Sequence, residues 1–345
     1  MTHTIVMVGL GATGLAMAES LLQRTDVRIV GAADRNRAVV GADLGTLAGL
    51  GASGITVIDE PSSLPTADLA VVATTSDLNL VVDTLVPLLE RSYNVMSICE
   101  ELSYPWSSHP HLARRLDQVA KANGVTVVGT GANPGVLMDT LPLLLTTLTQ
   151  RVERVVVRRR TNMSRYGAIL SKFGLGLTPA QFDEAQACGA VVGHYGFEQA
   201  IGALAAGLGW SLDEIVVGQV SPAIVSDTVR TGDHVVIEPG RIAAVTHAAR
   251  GTLGGRTVID LEIMFGFFDG SDPVSAGDDY RIEGTDQVIE LSSPVGFESF
   301  MSTIAAAVNV ATAVVDASPG FLSMGDLPVA RIASKGTRLA APAPV

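Results

Sequence analysis

Val6-Met7-Val8-Gly9-Leu10-Gly11-Ala12-Thr13-Gly14 places a Gly-x-Gly-x-x-Gly directly after an apolar run and directly before a helical pattern. Gly9 permits a tight strand-to-helix turn, Gly11 lets a backbone approach a pyrophosphate, and Gly14 lets the helix pack closely on the strand. The pyrophosphate would then meet the free N–H groups of the first helical turn, at Ala12 and Thr13. A second β-rich run, 27–33, ends in Asp34, where an acid can accept hydrogen bonds from a ribose diol. The stretch reads as a dinucleotide fingerprint.

Coenzyme choice turns on Asp34-Arg35-Asn36-Arg37. The aspartate favours NAD, whereas Arg35 and Arg37 suit the extra phosphate of NADP. Both coenzymes stay open, and NADP is preferred if Asp34 turns aside. Thr74, in the loop after the run 69–73, lies where the ribose and nicotinamide side of a coenzyme passes.

Working outward, the first third alternates β-rich runs near 4–8, 27–33, 69–73, 94–98 and 125–128, and a weaker one at 55–58, with helical patterns at 14–23, 77–91 and 109–123. That alternation predicts a parallel sheet with crossover helices, an α/β Rossmann domain. Asp77 is placed to cap the helix after it. Past residue 135 the pattern changes. Helical stretches at 136–149, 179–189 and 194–208 join runs at 151–160, 214–220, 235–237, 241–249 and 257–265, separated by glycine-rich turns. The expectation is a second α+β domain built on a mainly antiparallel sheet. The boundaries read as 1–135, 136–315, and a segment 316–345 that returns to the first domain and carries a flexible tail.

The chain has 345 residues, 47% hydrophobic and 17% charged, with a net charge of −12. This acidity opposes nonspecific attraction to nucleic acid. Apolar stretches are interrupted well before the roughly 18 residues of a membrane span, so no membrane association is expected. The start passes straight into the first strand without a signal pattern, which suggests a cytoplasmic protein. Cys99 and Cys188 lack zinc-ligand spacing, no metal is expected, and both read as buried apolar residues. Arg158, Arg159, Arg160 and Arg165 form the one basic cluster, read as the exposed end of a strand at an edge or interface, with an anion site held in reserve.

Two segments are rich in functional side chains. Cys99-Glu100-Glu101-Leu102-Ser103-Tyr104-Pro105 puts adjacent carboxylates at the end of the strand that faces the nicotinamide. Strand alternation sends only one of Glu100 and Glu101 into the site and leaves the other to satisfy backbone donors. Gly131-Ala132-Asn133-Pro134-Gly135 makes a shaped turn in which Asn133 offers an amide to substrate or to the nicotinamide carboxamide, or else serves as a hinge. His194 and Tyr195, with Tyr104 and Pro134, are candidate substrate-pocket residues.

Together, these segments, with Gly193-His194, Leu208-Gly209-Trp210, Ser318-Pro319-Gly320 and Asp326-Leu327-Pro328, resemble the native amine dehydrogenases, relatives of 2,4-diaminopentanoate dehydrogenase with a dihydrodipicolinate-reductase-like first domain. The resemblance spans nearly the whole chain. It implies an NAD(P)-dependent oxidoreductase that aminates small ketones or aldehydes with ammonia through an iminium, and the edge strands expected in the second domain suggest a homodimer. It also implies a glutamate that activates ammonia. In the broader glucose-fructose oxidoreductase type of domain a Cys-Glu-Lys-Pro turn carries a catalytic lysine, and matching Cys99-Glu100-Glu101-Leu102 to it puts Glu101 in that position, with Glu100 as the alternative. The Glu-x-His-His-x-x-Lys run of dihydrodipicolinate reductases is missing. A diamino acid substrate would need a carboxylate partner, which Arg158, Arg160 or Arg165 would supply. A sensor that binds NAD(P) without turnover is the alternative from another class.

Overall fold

The structure, a computed structural model, describes residues 2–167 and 170–329. Two compact units make up the chain, one running to Gly131 and resuming at Thr303, the other Ala132–Ser302. The flexible tail expected beyond Ser334 lies outside the described residues.

In the first unit the strands are β1 (His3–Val8), β2 (Val27–Ala33), β3 (Val57–Ile58), β4 (Leu69–Val72), β5 (Asn94–Ser97) and β6 (Thr126–Gly129). Every residue of β4 is buried, as expected of a strand covered on both faces. The sheet order is β3-β2-β1-β4-β5-β6, all parallel, which is the doubly wound Rossmann arrangement. Sequence order reverses between β1 and β4, so the loops after these two strands diverge and open a crevice. Helices α1 (Ala12–Leu22), α2 (Leu44–Leu47), α3 (Leu78–Glu90) and α4 (Pro110–Ala122) make the crossovers. Asp77 caps α3 as anticipated, accepting from the Asn79 N–H at 2.8 Å. A late strand, Gly320–Leu322, pairs with β6 and was not foreseen.

The second unit begins with α5 (Thr140–Leu145), much shorter than the helix anticipated over 136–149. Asp139 is the reason: it is buried and accepts the Gly135 N–H at 2.6 Å and also the Thr140 N–H, so a closed turn precedes the helix. Next come β7 (Val152–Asn162), α6 (Leu170–Phe173), α7 (Pro179–Ala187) and α8 (Phe197–Leu208). The remaining strands are β8 (Glu214–Val217), β9 (Ser221–Val225), a separate pair β10 (Arg230–Thr231) and β11 (Val236–Ile237), then β12 (Ile242–Leu253), β13 (Arg256–Gly266), β14 (Gly277–Gly284) and β15 (Val288–Ser293). Their main sheet runs β15-β14-β7-β13-β12-β8, antiparallel except for β7 beside β13. Val155, Val157, Leu261 and Ile263 pack on Phe197, Ile201 and Leu204 of α8.

Two expectations are corrected here. The arginine-bearing strand β7 lies between β14 and β13, not at an edge, because β14 arrives from more than a hundred residues away to cover it. Cys188 is exposed at the end of α7, while Cys99 is buried as expected.

Candidate active site

Gly9 leaves β1 with φ +91°, a left-handed conformation, and a Cβ there would lie 2.4 Å from the Ala73 carbonyl oxygen. A Cβ on Gly14 would lie 2.1 Å from the Gly9 carbonyl oxygen. Gly14 is therefore required by the turn's own packing, and Gly9 by its backbone conformation and the approach of the loop after β4. Gly11 is different, since nothing lies within 4 Å of its would-be Cβ. It faces open space at the start of α1, and no side chain caps that helix. The first-turn N–H groups, including those of Ala12 and Thr13, are left for an anion.

That open space is a cavity of about 430 Å³ lined by Gly9, Gly11, Asp34, Arg35, Thr74 and Thr75, among others. A bare glycine at the approach point, an uncapped helix start and an acid and a base at the end of β2 together fit a dinucleotide. Arg37 is exposed two residues beyond Arg35 and is outside the lining. Asp34 does not simply point at a ribose: its carboxylate accepts the N–H groups of Leu10 and, at 2.7 Å, of Asn36.

The paired glutamates lie past the end of β5, in a 3-10 turn over Glu100–Leu102, so strand alternation does not separate them. What separates them is the turn itself. Its backbone is pinned to the loop after β4, with the Cys99 Sγ on the Ser76 carbonyl at 3.1 Å, and a Cβ on Gly129 of β6 would lie 2.4 Å from Leu102. Glu101 accepts the Leu78 N–H at 2.8 Å, and His109 Nε2 stands 3.7 Å from the same oxygen. Glu100 is directed to the Ser76 hydroxyl; burial raises its pKa and that hydrogen bond opposes the rise. Tyr104 is half-buried nearby, its phenol pKa also raised by burial.

In the second unit, the structure brings Pro134 against the 194–196 segment, since a Cβ on Gly196 would lie 2.3 Å from Pro134 Cδ. Asn133 Oδ1 is buried without a hydrogen-bond partner. Tyr195 is 47% exposed. The His194 N–H donates to His247 Nδ1 at 3.0 Å, and the His194 ring meets Phe197 edge-on. Burial, reinforced by His247 and Arg159, lowers the His194 pKa to about 3, so the imidazole is neutral.

Arg159, named in the basic cluster but not among the candidate carboxylate partners, is the arginine that the fold sets apart. Its side chain is fully buried and forms a fork with Asp278, Nε to Oδ1 and Nη2 to Oδ2 both at 3.0 Å, with Nη2 also on the Phe297 carbonyl at 2.7 Å. Nη1 is buried and has no partner. Parity was the available signal, because Arg159 shares its strand face with the buried Val155 and Val157. Arg158 and Arg160, the arginines first considered, are occupied by Asp260 at 2.9 Å and Asp279 at 2.7 Å, and Arg165 is exposed. No group of acidic, histidine or cysteine side chains suited to a metal occurs among the described residues.

A family model described as the 2,4-diaminopentanoate dehydrogenase C-terminal domain matches residues 136–341. Over 333 residues, 95% of this chain and 94% of the relative, the sequence is 31% identical to 2,4-diaminopentanoate dehydrogenase of Acetoanaerobium sticklandii. The solved structure of an amine dehydrogenase from Mycobacterium smegmatis matches with a TM-score of 0.81 and 27% identity, covering 96% of this chain and 97% of that one. A probable dehydrogenase from Thermotoga maritima, at TM-score 0.54 and 12% identity over 94% of this chain and 92% of that one, shares the fold. With the nucleotide crevice above, these findings show that the chain belongs to the 2,4-diaminopentanoate dehydrogenase family and is an NAD(P)-dependent dehydrogenase.

Proposed function

We propose that the chain catalyses the reversible reductive amination of small ketones or aldehydes with ammonia, with oxidative deamination of the amine as the reverse reaction. The nicotinamide supplies the hydride in one direction and accepts it in the other. Proton transfer falls to the glutamate pair. An ionised carboxylate holds ammonium and takes its proton, freeing ammonia to attack the carbonyl. The resulting acid returns the proton to the carbinolamine hydroxyl, which leaves as water, and the regenerated carboxylate favours the iminium electrostatically.

The observation that carries this reading is the division of labour between the two carboxylates. The family resemblance pointed to Glu101, but its oxygen is engaged at the start of α3. Glu100 is the better-supported proton carrier. Burial raises its pKa, and it sits beside Ser76, next in sequence to the cavity-lining Thr75. Glu101 holds the turn against α3. We further infer a homodimer, supported by the exposed Val216, Val217 and Val225 on β8 and β9, and a cytoplasmic location, supported by two free cysteines.

Coenzyme oxidation followed optically with small ketones and aldehydes, with and without high ammonia at mildly alkaline pH, tests the reading. Oxidation only with ammonia is expected. Oxidation without ammonia would make the protein a carbonyl reductase. Coenzyme binding with no turnover on carbonyls or diamino acids would make it a sensor. A second reading, a diamino acid as substrate, is supported by the unpartnered Nη1 of Arg159, a buried donor suited to a carboxylate.

A further inference from the structure

We propose that His109 is a positioning residue for the glutamate pair, acting on Glu100 through Glu101 as the cationic partner of the Glu101 carboxylate. The inference rests on the reading of Glu100 as the proton carrier and deepens it.

His109 opens α4, and its backbone is fully used: the N–H donates to the Pro105 carbonyl at 2.7 Å and the carbonyl accepts the Ala113 N–H at 3.0 Å. Its ring does not cap the helix, although a side chain at this position ordinarily covers the first free N–H groups. The imidazole is turned to the glutamates instead. Nδ1 lies 3.0 Å from the Ser108 hydroxyl, and Nε2 stands 3.7 Å from Glu101 Oε2, an ion-pair distance rather than a hydrogen bond. Among the described residues no other cationic side chain stands within ion-pair distance of Glu100 or Glu101. His111, Arg114 and Arg115, farther along α4, are exposed and enter no ion pair among the described residues.

Both glutamates share one anchor. The Glu101 N–H donates to the Ser76 carbonyl at 3.4 Å, and the Ser76 hydroxyl serves the Glu100 carboxyl. The Glu101 carboxylate therefore acts on Glu100 at close quarters and, after burial, favours its protonated form. Other titratable groups of the turn do not counter it. Burial, with both carboxylates, pushes the Cys99 thiol up to about 12, and burial and Asp326 raise the Tyr104 phenol, so both stay neutral. Asp77 adds a further carboxylate at the start of α3. An imidazole is the one group of this set able to gain positive charge near neutrality. Protonated, it offsets Glu101 and eases release of the Glu100 proton; neutral, it leaves the repulsion between the two carboxylates in full.

Protein isotope-labelled at the glutamate carboxyls, titrated by NMR without coenzyme, tests this, with Glu100 identified by its missing signal in Glu100→Gln. His109→Gln should move the Glu100 midpoint upward by roughly half a pH unit or more, and His109→Lys, which keeps a cation there, should bring it back. In a Glu101→Gln background, His109→Gln should move the midpoint far less. The acidic limb of kcat/KM for reductive amination should follow the same shifts, and a melting curve on each variant reports whether it is folded. An unmoved midpoint in His109→Gln, no return in His109→Lys, or an equal shift in the Glu101→Gln background would overturn the proposal. A midpoint that moves while the kinetic limb stays put would instead overturn Glu100 as the proton carrier and leave the coupling of His109 to the pair standing.

Discussion

Glu101 accepts the backbone N–H of Leu78 at 2.8 Å, across 23 residues of sequence, and so ties the turn after β5 to the first turn of α3. The helix start is also capped by Asp77, so two carboxylates serve one set of orphan donors. At the neighbouring Glu100 burial works against the charge and the Ser76 hydroxyl works for it, with burial prevailing. The same dipeptide therefore presents one carboxylate tied to a helix start and one buried beside the Ser76 hydroxyl.

The two roles separate by substitution. Glu100→Gln should lower kcat/KM for reductive amination by about 10²- to 10⁴-fold with little change in Tm, the range typical of losing a general acid–base. Glu101→Ala should instead cost about 1 kcal/mol of stability, as for a lost helix cap, and reduce the rate less. Thermal melts and steady-state kinetics on both variants check this. If Glu101→Ala were the slower enzyme with unchanged Tm, the assignment would reverse.

Acid should destabilise the second unit through His194. Its folded pKa, about 3, lies below the ordinary value of 6.5, so the unfolded chain binds the proton more readily. Stability is therefore full above pH 6.5 and falls as the pH drops through that value toward 3, by at most about 1.4 kcal/mol per pH unit from this group. Asp139 acts in the opposite sense, its pKa being raised by burial, so the total pH profile is blunted. Replacing His194 by Phe, which suits the aromatic setting of Phe197 and Phe265, should flatten the dependence of the urea midpoint between pH 6.5 and 4. An unchanged slope would mean that His194 is not the acid-sensitive group.

What sequence reveals here depends on whether a feature is local. Gly9 and Gly14 were legible because the left-handed φ of Gly9 and the 2.1 Å approach of a Gly14 Cβ to the Gly9 carbonyl oxygen both exclude other residues, and these constraints lie within a few residues of chain. Asp34 was legible as a position but not as a role, since its partner Leu10 lies on the far side of a strand, a helix and a turn. Strand β14, Gly277-Asp278-Asp279-Tyr280-Arg281-Ile282-Glu283-Gly284, escaped notice because one of its inward residues is a carboxylate. That carboxylate, Asp278, is buried only by virtue of Arg159, 119 residues earlier. Nothing local announces such a pair. Arg159 itself was within reach of simple alternation, had the four arginines been read by parity instead of as one cluster.

The Arg159–Asp278 pair also supplies the means of choosing between uncharged and carboxylate-bearing substrates. Removing the arginine outright would strand Asp278 as a buried, unpaired charge, at a cost of about 3–5 kcal/mol, and would confuse recognition with folding. Arg159→Lys keeps a cation opposite Asp278 but loses the planar fork and with it the free Nη1. If that nitrogen receives a substrate carboxylate, the variant should lose about tenfold or more in kcat/KM on a diamino acid while an uncharged ketone or amine of similar size is turned over nearly as before. Steady-state kinetics on one substrate of each class, with a melting curve to set the stability loss apart, is the measurement. Equal losses on both substrates would reduce Arg159 to a buried strut between β7 and β14 and leave the small uncharged carbonyl as the preferred substrate class.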